Sequence, residues 1–152
     1  MLELEYEMTF AERIAGPLGA TLGSPPRLAW TIAEATLTGE RITASLAAPG
    51  ADWIRLGADG IRRQDQRTSF LTADGSLILM SYQVALIRGG ESFVQALESG
   101  QGTSFTDQYM CMAPQFEVSS DEYAWLTRSL FIGRGRLAGP RRIEYEIHRV
   151  AG

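Results

Sequence analysis

Arg67-Thr68-Ser69-Phe70-Leu71-Thr72-Ala73-Asp74-Gly75-Ser76-Leu77-Ile78-Leu79-Met80-Ser81-Tyr82-Gln83-Val84-Ala85-Leu86-Ile87 decides the fold. Asp74-Gly75 separates two strand-like runs, Arg67–Leu71 and Ser76–Ile87, and Asp-Gly supplies the positive-φ backbone that a tight hairpin turn requires. Large side chains occupy adjacent positions (Phe70 and Leu71; Leu77 to Met80). Both faces of such strands must find cover. A sheet closed on itself provides it on the inside, and a helix, a loop or another subunit on the outside.

The same pattern extends in both directions. Leu28–Leu37 and Arg41–Ala47 flank the turn Thr38-Gly39-Glu40, and Pro49-Gly50 breaks the second run. Trp53–Leu56 and Gly60–Thr72 surround Gly57-Ala58-Asp59-Gly60, while Gln108–Ala113 and Ser129–Leu137 add further strands. At the N-terminus Leu2, Leu4, Tyr6, Met8 and Phe10 alternate with polar residues, and Ile143, Tyr145 and Ile147 do so near the C-terminus. This period of two marks half-buried strands. Glu3, Glu5 and Glu7 at one end and Arg141, Arg142 and Arg149 at the other suit pairing of the termini. Helical signal is confined to a short turn over Ser92–Leu97 and a single turn over Ser120–Leu126, capped by Ser119 or Ser120. The expectation is an all-β chain: a single antiparallel β-barrel of roughly 8–10 strands with one or two short helical turns, spanning residues 1–152 as one domain.

Composition narrows the chemistry. The chain has 152 residues and a formal charge of −4, and each of its 14 basic residues is arginine. Schiff-base lysine chemistry and a P-loop lysine are therefore excluded. One histidine (His148) and one cysteine (Cys111) cannot build a Cys/His zinc site, which takes about four ligands, nor form a disulfide within the chain. The acidic balance and scattered arginines argue against nucleic acid as a partner. No apolar run approaches the roughly 18 residues of a membrane helix, and Met1–Phe10 lacks the basic start of a signal peptide. A cytoplasmic protein is expected, without membrane partner, cofactor or metal.

Four motifs occur in order: Gly50-Ala51-Asp52-Trp53, Asp74-Gly75-Ser76-Leu77-Ile78, Ala113-Pro114-Gln115-Phe116-Glu117 and Tyr123-Ala124-Trp125-Leu126-Thr127-Arg128-Ser129-Leu130-Phe131-Ile132-Gly133. Together they resemble the domain-of-unknown-function family 3237, also called uncharacterised protein family 0311, from about Arg41 to Val150. The resemblance implies a compact antiparallel barrel, often oligomeric, with no established family-wide reaction. Thr127, Cys111 and Tyr82-Gln83-Val84 depart from the family pattern.

Asp52 and Trp53 emerge together after Pro49-Gly50, so Asp52 suits a general base at a barrel mouth, with capping of its own turn as the plainer role. Arg67 and Arg128 suit either structural ion pairs, with Asp65, Asp107 or Glu117 as partners, or a fork for a ligand anion. Tyr82, Tyr109, Tyr123, Trp125 and Trp53 are aromatic enough to wall a pocket or simply to fill a core. Gly133-Arg134-Gly135 reads as a turn or bulge, Cys111 as a small buried hydrophobe, and His148 as a surface residue. The expected catalytic set is Asp52, Arg128 and Glu117, and the ligand-binding set Trp53, Arg67, Tyr82, Tyr109 and Trp125. The leading expectation is a small-molecule-binding barrel acting as a cofactor-independent lyase, isomerase or cyclase on an apolar or aromatic carbonyl compound. The alternatives are a non-catalytic carrier or sensor, or a structural homo-oligomer with a solid core.

Overall fold

A computed structural model describes residues 1–152, the side chain of Pro17 excepted. In chain order the elements are β1 (Glu3–Pro17), β2 (Arg27–Gly39), β3 (Thr43–Leu56), β4 (Arg62–Arg63), β5 (Gln66–Thr72), β6 (Leu77–Tyr82) and β7 (Ala85–Arg88). There follow α1 (Gly90–Ser99), β8 (Tyr109–Met112), β9 (Gln115–Val118), a 3₁₀ helix (Asp121–Thr127), β10 (Phe131–Gly139) and β11 (Arg142–Ala151).

β4 and β5, β6 and β7, and β8 and β9 are halves of three long strands. Each is interrupted by two residues: Gln64-Asp65, Gln83-Val84 and Ala113-Pro114. β3 serves both sets of halves, pairing with β5 along Ala44–Asp52 and with β4 at Arg55 and Leu56. The circuit β1-β2-β3-β4-β7-β8-β10-β11-β1 closes an eight-stranded barrel in which every pairing is antiparallel. β5, β6 and β9 extend the wall beside β3. The 3₁₀ helix follows β9 and buries Tyr123 and Leu126, and Phe131 of β10 meets Phe116 edge-on, at 5.4 Å between ring centres.

The all-β barrel read from the sequence is the architecture found. Strand alternation sends Met8, Phe10 and Ile14, Phe70, Ile78 and Met80, and Ile143, Tyr145 and Ile147 into one continuous core. The termini pair as their charges suggest, with Glu5 facing Arg149. Arg149 bridges Glu5 and Glu7, its Nε lying 2.9 Å from Glu7 Oε1, and Arg41 reaches the same oxygen at 2.7 Å.

Several local readings need correction. Pro49-Gly50 does not end a strand: β3 passes through it on register shifts between Leu46 and Ala51. A Cβ on Gly50 would stand 2.7 Å from the Arg67 carbonyl oxygen, so glycine here permits close backbone approach. α1 is a ten-residue helix rather than a short turn. It has no side-chain N-cap and begins at Gly90 with φ +65°, so the usual start signal is missing. Gly133 and Gly135 occupy regular inward positions of β10, in neither a turn nor a bulge, because Met110, Met112 and Tyr145 fill the space before them. No helix among the described residues is long and apolar enough to cross a membrane.

Candidate functional site

The inward phase of the strands is not wholly apolar. It carries Glu12 from β1, Asp52 from β3, Gln66 and Thr68 from β5, Tyr82 from β6 and Tyr145 from β11, with Gln64 entering from the break between β4 and β5. Glu12 is 3% exposed and Asp52 1%, so both carboxyl groups lie inside the wall.

They are organised as two matching chains. The Tyr82 hydroxyl donates to Gln66 Oε1 at 2.6 Å, and Gln66 Nε2 donates to Glu12 Oε2 at 2.7 Å and to Thr68 Oγ1 at 3.0 Å. The Tyr145 hydroxyl donates to Gln64 Oε1 at 3.0 Å, and Gln64 Nε2 donates to Asp52 Oδ2 at 2.8 Å. The Asp65 backbone N–H donates to Asp52 Oδ1 at 3.1 Å. The two phenol rings are neighbours, their centres 6.3 Å apart. Strand register aligns Trp30, Asp52, Gln66 and Tyr82 as successive cross-strand partners on β2, β3, β5 and β6. Glu12 Oε1 and Trp30 Nε1 are buried without a hydrogen-bond partner.

Burial sets the protonation of the site. It pushes the Glu12 carboxyl up to about 8, aided by the negative charge of Asp52 and opposed by the Gln66 amide. Asp52 rises to about 6, chiefly through burial, with the Gln64 amide and Asp65 N–H holding it lower. Both phenols are raised by burial first and then by the charges of the carboxylates, so they remain neutral donors. Near neutral pH Glu12 therefore keeps its proton while Asp52 is ionised. Because Glu12 Oε2 accepts the Gln66 N–H, the carboxyl proton belongs on the unpartnered Oε1.

Of the residues expected from the sequence, the structure brings Asp52 and Tyr82 together in this interior. Trp53 and Arg67 stand on the outer wall around a hollow of about 370 Å³ shared with Ala51 and Asp65. Arg67 and Glu117 border a second hollow, of about 340 Å³. Tyr109 is exposed beneath Arg88. Trp125 lies under the Arg41 guanidinium at 3.8 Å. Arg128 caps the 3₁₀ helix through its backbone and leaves its side chain exposed.

Sequence reasoning missed Glu12, Trp30, Gln64, Gln66 and Tyr145. One signal was available for Glu12: it continues the inward series Met8, Phe10, so an acid stands where the alternation calls for an apolar residue. The glutamines act by joining partners from distant strands, which spacing does not display. Among the described residues no group of three or more His, Cys, Asp or Glu side chains is placed to hold a metal ion.

Fold and interior together define a small antiparallel β-barrel whose apolar core encloses two carboxyl groups. The chain belongs to the family described as Protein of unknown function (DUF3237), whose model matches residues 2–150. A UPF0311 protein of Rhodopseudomonas palustris (strain TIE-1) is 25% identical over 150 residues, covering 98% of this chain and 97% of its own. The crystal structure of a conserved protein of unknown function from Rhodopseudomonas palustris superposes with a TM-score of 0.88 at 24% identity, over 99% of both chains. An enzyme from Penicillium herquei matches with a TM-score of 0.70 at 18% identity, over 99% of this chain and 95% of its own.

Proposed function

We propose that this barrel is a cofactor-independent acid–base enzyme acting on a flat apolar or aromatic carbonyl compound, by an isomerase, lyase or cyclase type of reaction. The observation that carries the proposal is the pair of interior carboxyl groups with different proton affinities, each bound through a glutamine to a tyrosine. Burying two acids costs stability, and groups pushed apart in pKa within one site divide naturally into acid and base. Asp52, ionised, removes a proton from carbon beside the carbonyl. Glu12, protonated on Oε1, delivers one to another atom of the substrate. After the cycle Asp52 holds the abstracted proton and Glu12 lacks one, so exchange with solvent restores the starting state. Gln64 and Gln66 are positioning residues: each turns its amide so that a carboxyl oxygen receives N–H and a phenol is held by C=O. Arg67, Glu117 and Arg128 present their side chains outside and have no part in this step. That a protein of the same fold, from Penicillium herquei, is described as an enzyme agrees with catalysis on this scaffold.

The proposal includes self-association and a reducing, cytoplasmic setting. Leu71, Leu77 and Leu79 expose apolar surface on one outer face, and the only cysteine has no partner in its own chain.

The test uses 2-tetralone, an enolisable aromatic ketone, in D₂O at pH 7. The wild-type protein should accelerate exchange of its α-protons, followed by proton NMR, and Asp52→Asn should lose about 10²-fold or more of that acceleration. Exchange no faster than in buffer, or equal rates for wild type and variant, overturns the reading.

A further inference from the structure

Trp30 faces Asp52 directly across β2 and β3. Side chains so opposed leave an antiparallel sheet on the same face, with Cβ atoms about 4.5–5.5 Å apart. The Trp30 ring packs against the core and is partly exposed, while its Nε1 is buried and unpartnered. An indole nitrogen can only donate, and a buried donor left alone is unfavourable unless something supplies an acceptor. The Tyr82 and Tyr145 hydroxyls donate to Gln66 and Gln64, and the glutamine amides to the carboxyl groups, which leaves the Trp30 N–H and the Glu12 proton without acceptors.

An acidic C–H beside a carbonyl lies three bonds from the oxygen, through H–C, C–C and C=O. A base aimed at that hydrogen therefore needs the donor for the oxygen as its immediate neighbour. Trp30 and Asp52 are direct cross-strand partners on one face of the sheet. We propose that the Trp30 indole N–H binds the carbonyl oxygen of the substrate while Asp52 faces the adjacent carbon, which makes Trp30 a catalytic residue and narrows the substrates to ketones bearing hydrogen on that carbon. This rests on the acid–base reading above. As Asp52 takes the proton, the C–H electron pair becomes the new C=C bond and the C=O π pair moves onto oxygen. The negative charge leaves Asp52 and appears on that oxygen, where the indole N–H meets it. Glu12 then supplies the proton that the enolate takes up.

Two probes of nearly equal shape isolate the oxygen: 2-acetylnaphthalene, which has an acceptor, and 2-ethylnaphthalene, which has none. Binding is followed by the indole ¹H–¹⁵N signals, with Trp53 and Trp125 as internal references. The ketone should shift the Trp30 signal downfield and the hydrocarbon should not. Trp30→Phe, which keeps a ring and removes the N–H, should reduce the acetyl-to-ethyl affinity ratio about tenfold. Failure of the ketone to bind, a stationary Trp30 signal, or an unchanged ratio in the variant each overturns the inference. Should Trp30→Phe not fold, the wild-type indole shift decides alone. Exchange of 2-tetralone separates the two claims: exchange that survives intact in Trp30→Phe defeats the role of Trp30 and leaves Asp52 as base. A Trp30 shift without any exchange leaves the binding contact and defeats the catalytic reading.

Discussion

Glu12 is the residue at which packing and chemistry conflict most directly. Its carboxyl group is fully inside the barrel, and burial together with Asp52 raises it to about 8. In the unfolded chain it returns to an ordinary glutamate value near 4.5. Between these values the folded state holds a proton that the unfolded state has released, so stability falls as pH rises. Asp52 adds the same trend from 3.8 to about 6. The wild-type protein should therefore be most stable in mild acid. Its urea midpoint should fall from pH 5 to pH 8.5, and the part of the fall above pH 7 should belong to Glu12. Glu12→Gln keeps an oxygen acceptor for Gln66 and removes the ionisation, so its midpoint should be nearly level above pH 7. Parallel declines in the two proteins would place the titrating group elsewhere. Asp52 was legible in the sequence because it follows a Pro-Gly pair beside a tryptophan. Its setting was not, because Gln64, Gln66 and the two tyrosines gain their roles only when β1, β5, β6 and β11 converge.

At the scale of elements, β10 shows how a strand makes room for that convergence. Its inward positions run Phe131, Gly133, Gly135 and Leu137. A Cβ on Gly135 would lie 2.6 Å from Tyr145 Cε1 and 2.9 Å from Met110 Cγ. These are overlaps that only displacement of the ring or the methionine relieves. Gly135→Ala should cost about 1–3 kcal/mol in urea unfolding, as overpacked cores do. The cost should shrink when Tyr145 is also replaced by Leu, since the two changes address the same space. A cost unaltered by the second substitution would mean that Tyr145 is not what the new methyl meets. The hairpin of β5 and β6 was legible because Asp74-Gly75 is a chemical signal, and Gly75 does adopt φ +83°. The interruptions at Gln64-Asp65 and Gln83-Val84 were hidden because neither pair contains a residue that breaks a strand. Only the third, Ala113-Pro114, carries one.

Across the whole molecule, closure is uneven. β1 and β11 align over ten residue pairs and β10 and β11 over eight. β4 joins each of its neighbours through two, and β8 joins β10 through two. Charge at the termini and alternation along the end strands made the strong seam readable in advance. The weak seams depend on where three long strands bend, a property of the assembled wall. Local opening follows the path that breaks the fewest hydrogen bonds and buried contacts, so the wall should loosen first around β4 and between β8 and β10. Gln64 directly follows β4 and holds Asp52, hence the weak part of the wall adjoins the buried carboxylate. Hydrogen–deuterium exchange resolved to single amides should show Arg62, Arg63 and the amides bonded between β8 and β10 exchanging well before the centres of β1, β2 and β11. Exchange that is uniform around the ring would mean that the barrel opens only as a unit.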